Sequence, residues 1–253
     1  MAVELEFLTG IDPIDFFVSS ADEVSACEKT CGALLGVGDS LRQARFLMGE
    51  PLGLFALLTA EEEAASFLYY CLLDKGYEIP NYGKIQNHLD KAKILILAET
   101  LVSYFFSREM AGIKRFVRFE KIEGLVSAYQ HFRLGDFHIR QDDPLETIKT
   151  HGNSPDKHDA AVEGAIELTL KKISPPGQSL KSQIKSIANR RNLCLYGDPS
   201  RKPRLGSQEE IDHFHNQCTA ILALGFLVRN GAGRTSSMQK LTKKFFEMVK
   251  SAN

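Results

Sequence analysis

Two adjacent polar residues, Arg191 and Asn192, lie near the end of a segment whose periodicity predicts a helix over residues 179–196. Arg191 falls on the apolar stripe of that helix, where a charge is costly unless it has a partner. Its guanidinium offers a planar fork of N–H donors that suits a phosphate, and the Asn192 amide adds hydrogen bonds. This arrangement is consistent with a phosphate site at the helix end, next to Tyr196. Taken alone, however, the residues favour a structural role, in which Arg191 pairs with an acidic residue of another helix.

The charge of the chain is unevenly distributed, although 31 Lys and Arg nearly balance 32 Asp and Glu. Residues 1–80 carry 4 basic and 14 acidic side chains, whereas residues 171–204 carry 9 basic and 1 acidic. The basic segment is either an anion-binding surface or is neutralised in the fold by the acidic first third of the chain. The candidates for contact with RNA or phosphate are Lys181, Lys185, Arg190, Arg201, Lys202 and Arg204.

Other spacings that could support chemistry are weaker. The glycine-rich run GALLGVGDS lacks the lysine of a phosphate-binding loop. His213 and His215 point to different sides of a regular helix, so they cannot chelate one metal ion, and we interpret both as solvated. We interpret residues 61–63, three consecutive glutamates, as first-turn carboxylates that complement a helix macrodipole. The sequence therefore predicts no metal site and no cofactor.

Helical periodicity predominates along the chain and must position these residues. The sequence predicts helices over residues 21–35, 40–48, 60–75, 84–110, 156–173, 179–196, 207–229 and 235–250. The turn GVGD separates the first two helices, and Thr59 with Glu62 predicts a capping box for the third. Partial alternation of apolar and polar residues between 112 and 141 predicts a small hairpin or irregular excursion.

The sequence Arg191-Asn192-x-x-x-Tyr196 resembles the RNxxxH signature of HEPN proteins, the "higher eukaryotes and prokaryotes nucleotide-binding" helical bundles. Residues 61–77, EEEAASFLYYCLLDKGY, resemble the first long HEPN helix. Residues 86–91, QNHLDK, are similar to a His- and Lys-bearing segment of the AbiV-type abortive-infection branch. The resemblance extends over about residues 59–230 and departs from the signature at Tyr196, where histidine is expected.

The resemblance implies an all-α fold: a HEPN-like bundle over residues 59–253, interrupted by a small irregular or β-hairpin insertion at about 111–155. Residues 1–58 would form an N-terminal helical extension. The resemblance also implies a homodimer, with RNA or a nucleotide bound in a cleft between two RN motifs. Arg191, Asn192 and Tyr196 would be the catalytic residues of a metal-independent endoribonuclease that acts as a toxin or antiphage effector.

Tyrosine at position 196 leaves the chemistry open. Cleavage at a ribose needs a group that exchanges protons near neutral pH; an imidazole titrates at about 6.5 and a phenol at about 10. Tyr196 is therefore a poor base but can donate a proton or hydrogen bond, and His213 or His215 could replace the missing imidazole. A noncatalytic protein is the alternative, in which the basic segment docks on an acidic partner such as the first third of the chain itself. A protein partner or antitoxin is also among the expected partners. A helical protein unrelated to nucleic acid is the third possibility.

Composition restricts the cellular setting. Five cysteines without a CxxC or zinc-finger spacing are typical of a reducing compartment, and we expect a cytoplasmic protein. No apolar run approaches the roughly 18 residues of a membrane span, so no membrane partner is expected.

Overall fold

The computed structural model describes residues 4–7, 10–24, 27–80, 85, 87–106, 114–134, 137–141, 145, 155–173, 179–196, 207–231 and 233–251. In these ranges the strands are β1 (Glu4–Phe7), β2 (Lys114–Ile122), β3 (Leu125–Leu134) and β4 (Phe137–Gln141). The helices are α1 (Pro13–Val18), α2 (Glu28–Phe46), α3 (Pro51–Asp74), α4 (His88–Phe106), α5 (Pro155–Ile173), α6 (Leu180–Tyr196), α7 (Gln208–Asn230) and α8 (Ser236–Ser251), with a short 3-10 helix over Ala21–Val24. The prediction of a mostly helical chain with a small β insertion is confirmed.

Helix α3 lies at the centre of the fold, in contact with α2, α4, α6 and α7. It therefore has buried residues around most of its circumference, and not a single apolar stripe. Gly225 of α7 lies directly against the buried Phe67 ring of α3, because a Cβ placed there would be 2.5 Å from Phe67 Cε1. This close contact brings α7 next to the middle of α3. No helix in the described ranges is long and apolar enough to cross a membrane.

The sheet has the order β1-β2-β3-β4; β1 is parallel to β2, and the other two pairs are antiparallel. The β2–β3 hairpin turns at Glu123 and Gly124, which both have positive φ, as a type I′ turn requires. One face of the sheet packs on the helices, where the Phe119 ring is 5.3 Å from that of Phe17. The sheet is larger than the predicted hairpin, because the residues of β1 add an edge strand.

Two predictions for the first 75 residues are wrong. The turn GVGD does not separate two helices, because α2 runs through it; Gly38 instead lets α1 approach, and a Cβ there would be 2.9 Å from Val18 Cγ2. Thr59 does not cap a helix, because α3 begins at Pro51 and the Thr59 hydroxyl donates to the Phe55 carbonyl. The predicted boundary between residues 58 and 59 consequently falls inside α3. The end of this helix matches the prediction, with Gly76 at φ +73° just after it.

Candidate functional site

Three consecutive glutamates, residues 61–63, lie in the middle of α3 and face its neighbours. Glu61 is 1% exposed and Glu62 is also buried. Their interpretation as first-turn carboxylates is wrong, since the helix begins at Pro51, more than two turns earlier. A buried carboxylate needs a partner, and each of the three has one or more on α4 or α6. Helix α3 thus places a row of acidic groups inside the bundle.

Arg190 and Glu61 form the deepest of these pairs. The Arg190 Nη2 atom lies 2.5 Å from Glu61 Oε2, which joins α6 to α3. Burial raises the pKa of Glu61 to about 7 in spite of the Arg190 charge, and the nearby Glu99 carboxylate raises it further. The pKa of Glu99 is itself raised by burial, although its carboxylate accepts a hydrogen bond from Gln217 of α7. The interior of α3, α4, α6 and α7 therefore holds two carboxyl groups whose pKa values burial raises.

Glu62 contacts basic groups from two different helices. Its Oε2 accepts a hydrogen bond of 3.0 Å from Arg191 Nη1, and its Oε1 lies 3.3 Å from His88 Nδ1. The Arg191 guanidinium also stacks on the Phe55 ring at 4.3 Å from the centroid, which orients its plane. One carboxylate of α3 thus holds a guanidinium of α6 and an imidazole of α4 together.

Lys91 completes this group. Its ammonium is 2.7 Å from Glu63 Oε1 and 3.8 Å from Glu62 Oε2. His88 and Lys91 are separated by three positions of α4, so they lie on one face of that helix. We call Glu62, Glu63, His88, Lys91 and Arg191 the Glu62 cluster.

The Glu62 cluster reaches the surface of the protein. The side chain of His88 is 44% exposed and that of Arg191 is 21% exposed, whereas that of Glu62 is only 8% exposed. Asn192, the next residue of α6, is exposed. The arrangement is a solvent-accessible imidazole and guanidinium on a buried carboxylate. It can hold an anion and move a proton beside it.

The structure places the other sequence-predicted residues as follows. Lys181 and Lys185 are exposed on α6, and Arg190 is turned inward to Glu61. Tyr196 is the last residue of α6, and its side chain lies outside the described atoms. Arg201, Lys202 and Arg204 lie outside the described residues. The basic segment is thus neutralised by the acidic first third at two arginines, and its exposed lysines lie elsewhere on the helix.

The two histidines of α7 have different environments. His213 is exposed, in agreement with its interpretation as solvated. That interpretation is wrong for His215, whose side chain is only 14% exposed and whose Nε2 lies 3.0 Å from both carboxylate oxygens of Asp12. Because Asp12 also caps α1, His215 fixes the N-terminal segment on α7. Within the described part of the chain, no group of three His, Cys, Asp or Glu residues could hold a metal ion.

Arg191 is the one member of the Glu62 cluster that sequence reasoning selected as a site residue; Glu62, Glu63, His88 and Lys91 were not selected. His88 stood only in the segment that resembles the AbiV-type branch. A signal for Glu62 exists in the sequence: three glutamates interrupt an otherwise apolar run that starts at Pro51, a residue favoured in the first helical turn. A helix beginning there would have placed them in its buried middle.

Comparisons with protein-family models, curated proteins and solved structures find no match for this chain. The fold and site define a mostly helical protein with a small four-stranded sheet and a cluster of acidic and basic side chains between α3, α4 and α6.

Proposed function

We propose that this protein is a HEPN-like RNA-binding protein that cleaves RNA without a metal ion, as a cytoplasmic, homodimeric toxin or antiphage effector. The observation that carries the proposal is the double contact of Glu62, which holds Arg191 and the half-exposed His88 side by side. The imidazole that the HEPN signature requires and position 196 lacks is then supplied by α4.

His88 is the proposed proton acceptor. With Nδ1 donating its hydrogen to Glu62, the second ring nitrogen, Nε2, is the basic one. It takes the proton of a ribose 2′-hydroxyl, and the 2′-oxygen attacks the adjacent phosphorus. The bond from phosphorus to the 5′-oxygen breaks, which yields a 2′,3′-cyclic phosphate and a 5′-hydroxyl. Tyr196, whose phenol can donate a proton, is our candidate for the group that protonates the leaving 5′-oxygen.

Arg191 is the proposed anion-binding group. Its guanidinium stabilises the additional negative charge of the phosphorane when the phosphate competes with Glu62 for it. Lys91 keeps the Glu62 and Glu63 carboxylates partnered during that exchange, because its ammonium lies next to both. Each of the two carboxylates therefore keeps a cationic neighbour while Arg191 contacts the substrate.

A second candidate function is supported by the same arginines. Arg190 and Arg191 both form ion pairs with buried glutamates of α3, as a purely structural role would require. The protein would then be a noncatalytic interaction module, with its exposed basic residues available to an acidic partner. Cleavage assays separate the two candidates.

The first test is cleavage of a mixed pool of single-stranded RNA by the full chain in the presence of EDTA. We expect cleavage to continue unchanged, because proton transfer and charge stabilisation come from His88 and Arg191. Products are analysed for 2′,3′-cyclic phosphate ends. Loss of activity that magnesium or zinc restores would overturn the mechanism, and absence of cleavage in all conditions would favour the interaction module.

A second test concerns Tyr196. Tyr196→His is expected to increase cleavage only modestly, because a catalytic imidazole also needs groups that orient it and His88 already serves as base. Tyr196→Phe removes only the hydroxyl and is expected to lower the rate constant while RNA binding stays unchanged. Rates at saturating RNA and dissociation constants are measured for both variants. Equal rates for wild type and Tyr196→Phe would remove Tyr196 from the mechanism.

A further inference from the structure

The four-stranded sheet has a second face, opposite to the one that packs on the helices. Val117, Phe119, Val126 and Phe132 are buried on the inner face. Side chains alternate along each strand, so the residues between these four lie on the opposite face. In the register of the sheet, this places Phe116 opposite His131, Arg118 opposite Tyr129, and His131 opposite Arg140. We define the outer sheet face by Phe116, Arg118, Tyr129, His131, Arg133 and Arg140.

Aromatic rings and guanidinium groups are interleaved on the outer sheet face. The Arg140 guanidinium lies 3.9 Å from the centre of the Tyr129 ring, which is the geometry of a stacked cation–π contact. The Phe116 and His131 rings are neighbours across β2 and β3, with centroids 6.4 Å apart. Phe116 and His131 are half-buried, whereas Arg133 and Arg140 are exposed. Aromatic rings and guanidinium planes therefore extend across the adjacent strands β2, β3 and β4.

Arg118 is held by side chains of the neighbouring strands β1 and β3. Its Nη2 and Nε atoms lie 2.6 and 2.9 Å from Glu6 Oε2, so its charge is compensated by β1. Its Nη1 atom also donates to the Tyr129 hydroxyl at 3.5 Å, which ties that ring to β2. Arg118 therefore orients the Tyr129 ring, and Arg133 and Arg140 are the arginines of the outer sheet face whose side chains are exposed.

Single-stranded nucleic acid is a polymer that can bind to aromatic rings and to arginine side chains at the same time. Its bases stack on aromatic rings and on arginine planes, and its phosphates pair with cations along an open surface. An acidic protein segment would need the cations but has no requirement for the rings. We propose that the outer sheet face binds a segment of single-stranded RNA, through stacking on Phe116, His131 and Arg140 and through phosphate contacts of Arg133 and Arg140. This adds a second RNA contact to the proposed function and does not require that the RNA be cleaved.

The test is fluorescence anisotropy of a labelled single-stranded RNA of about twelve nucleotides, titrated with the full chain. The double variant Arg133→Ala/Arg140→Ala is expected to weaken binding by about tenfold or more at low salt. The slope of log K against log salt should fall by about 1.4, the value for two lost phosphate contacts on a single strand. Lys243→Ala/Lys250→Ala removes two exposed cations from α8 and should bind as wild type does.

The stacking contribution is tested by Phe116→Ala and by Phe116→Tyr, which restores a ring. The alanine variant should bind at least about fivefold more weakly and the tyrosine variant nearly as tightly as wild type, at equal melting temperatures. Should the alanine variant melt early, the tyrosine variant and the arginine pair still decide the question. The proposal would be overturned if all sheet variants bound RNA as tightly as wild type does. It would also be overturned if poly-aspartate displaced the labelled RNA as effectively as unlabelled RNA does.

Failure of this inference and failure of the nuclease proposal give different results. RNA that binds through Arg133 and Arg140 but is never cleaved supports the outer sheet face and contradicts the nuclease. Cleavage that depends on His88 but is insensitive to the sheet variants contradicts the outer sheet face alone. When both hold, the sheet variants should raise KM and leave kcat unchanged, because the substituted residues do not contact the reacting atoms.

Discussion

Replacing either His88 or Arg191 with alanine is expected to abolish measurable RNA cleavage while the helical circular dichroism stays close to that of wild type. Loss of a positioned proton-transfer group costs about 10²- to 10⁴-fold in rate, and loss of a group that stabilises the transition-state charge costs about 10²- to 10³-fold. Glu62 still contacts Lys91 in both variants, and it also keeps Arg191 when His88 is replaced and His88 when Arg191 is replaced. No buried carboxylate is therefore left without a partner. Single-turnover rate constants on one labelled RNA measure both losses.

Two further variants sharpen this experiment. The double variant His88→Ala/Arg191→Ala should lose less than the product of the single losses, because groups that act on one transition state are not additive. Arg42→Ala removes an exposed arginine that pairs only locally, with Asp39, and is expected to cleave as wild type does. If Arg191→Ala unfolds, the Arg191–Glu62 pair is structural and Arg191 is not a site residue.

Local signals in the sequence were sufficient for the second half of the fold. Ser207 caps the first turn of α7, where its side chain and that of Glu210 form a reciprocal capping box, and α5 begins at Pro155. These signals involve residues close in the chain, so no knowledge of the tertiary structure is needed to interpret them. The predicted bounds 156–173, 179–196 and 207–229 agree with α5, α6 and α7 to within one or two residues.

The errors in the first half arise where a residue's role depends on a distant partner. The residues around Gly38 give the same local pattern for a turn as for a helix. The glycine is needed in the helix because Val18 of α1 packs closely against it. The edge strand β1 has four residues and pairs with β2, more than 100 positions later, so no local pattern could assign it. Tertiary packing decided both cases.

The same distinction separates what was and was not predictable at the site. The position of Arg191 on an apolar stripe favoured a structural ion pair, and the resemblance assigned it a catalytic role. Its partner Glu62 is 129 positions away, and only the fold shows that His88 shares that carboxylate. The two interpretations of Arg191, phosphate ligand and ion-pair partner, were both consistent with the sequence, and the structure contains the ion pair.

Glu61 provides a prediction about stability that does not depend on RNA. Burial raises the pKa of its carboxyl from 4.5 in the unfolded chain to about 7, with Glu99 and Glu62 adding to the effect and Arg190 opposing it. Between these two values the folded protein binds more protons than the unfolded chain. The free energy of unfolding must then fall as pH rises through that window, by up to about 3 kcal/mol from this one group.

Glu61→Gln should therefore change the stability of the protein relative to wild type in a pH-dependent way. Glutamine keeps an oxygen that can accept the Arg190 hydrogen bond but never becomes charged, so it removes the cost of burying a carboxylate above pH 7. We expect the unfolding free energy of the variant minus that of wild type to increase by up to about 3 kcal/mol between pH 5 and pH 8. Urea unfolding followed by circular dichroism at a series of pH values measures this difference.

Glu163→Gln is the matched control for the sign of this effect. Glu163 is a partly exposed glutamate whose pKa is lowered by its hydrogen bond with Lys244, so its contribution is complete above the unfolded value and is lost only in acid. Its variant should differ from wild type by a constant amount between pH 5 and pH 8. A constant difference for Glu61→Gln as well would mean that Arg190 compensates the Glu61 charge fully. The Glu61–Arg190 pair would then be ionised throughout the range from pH 5 to pH 8.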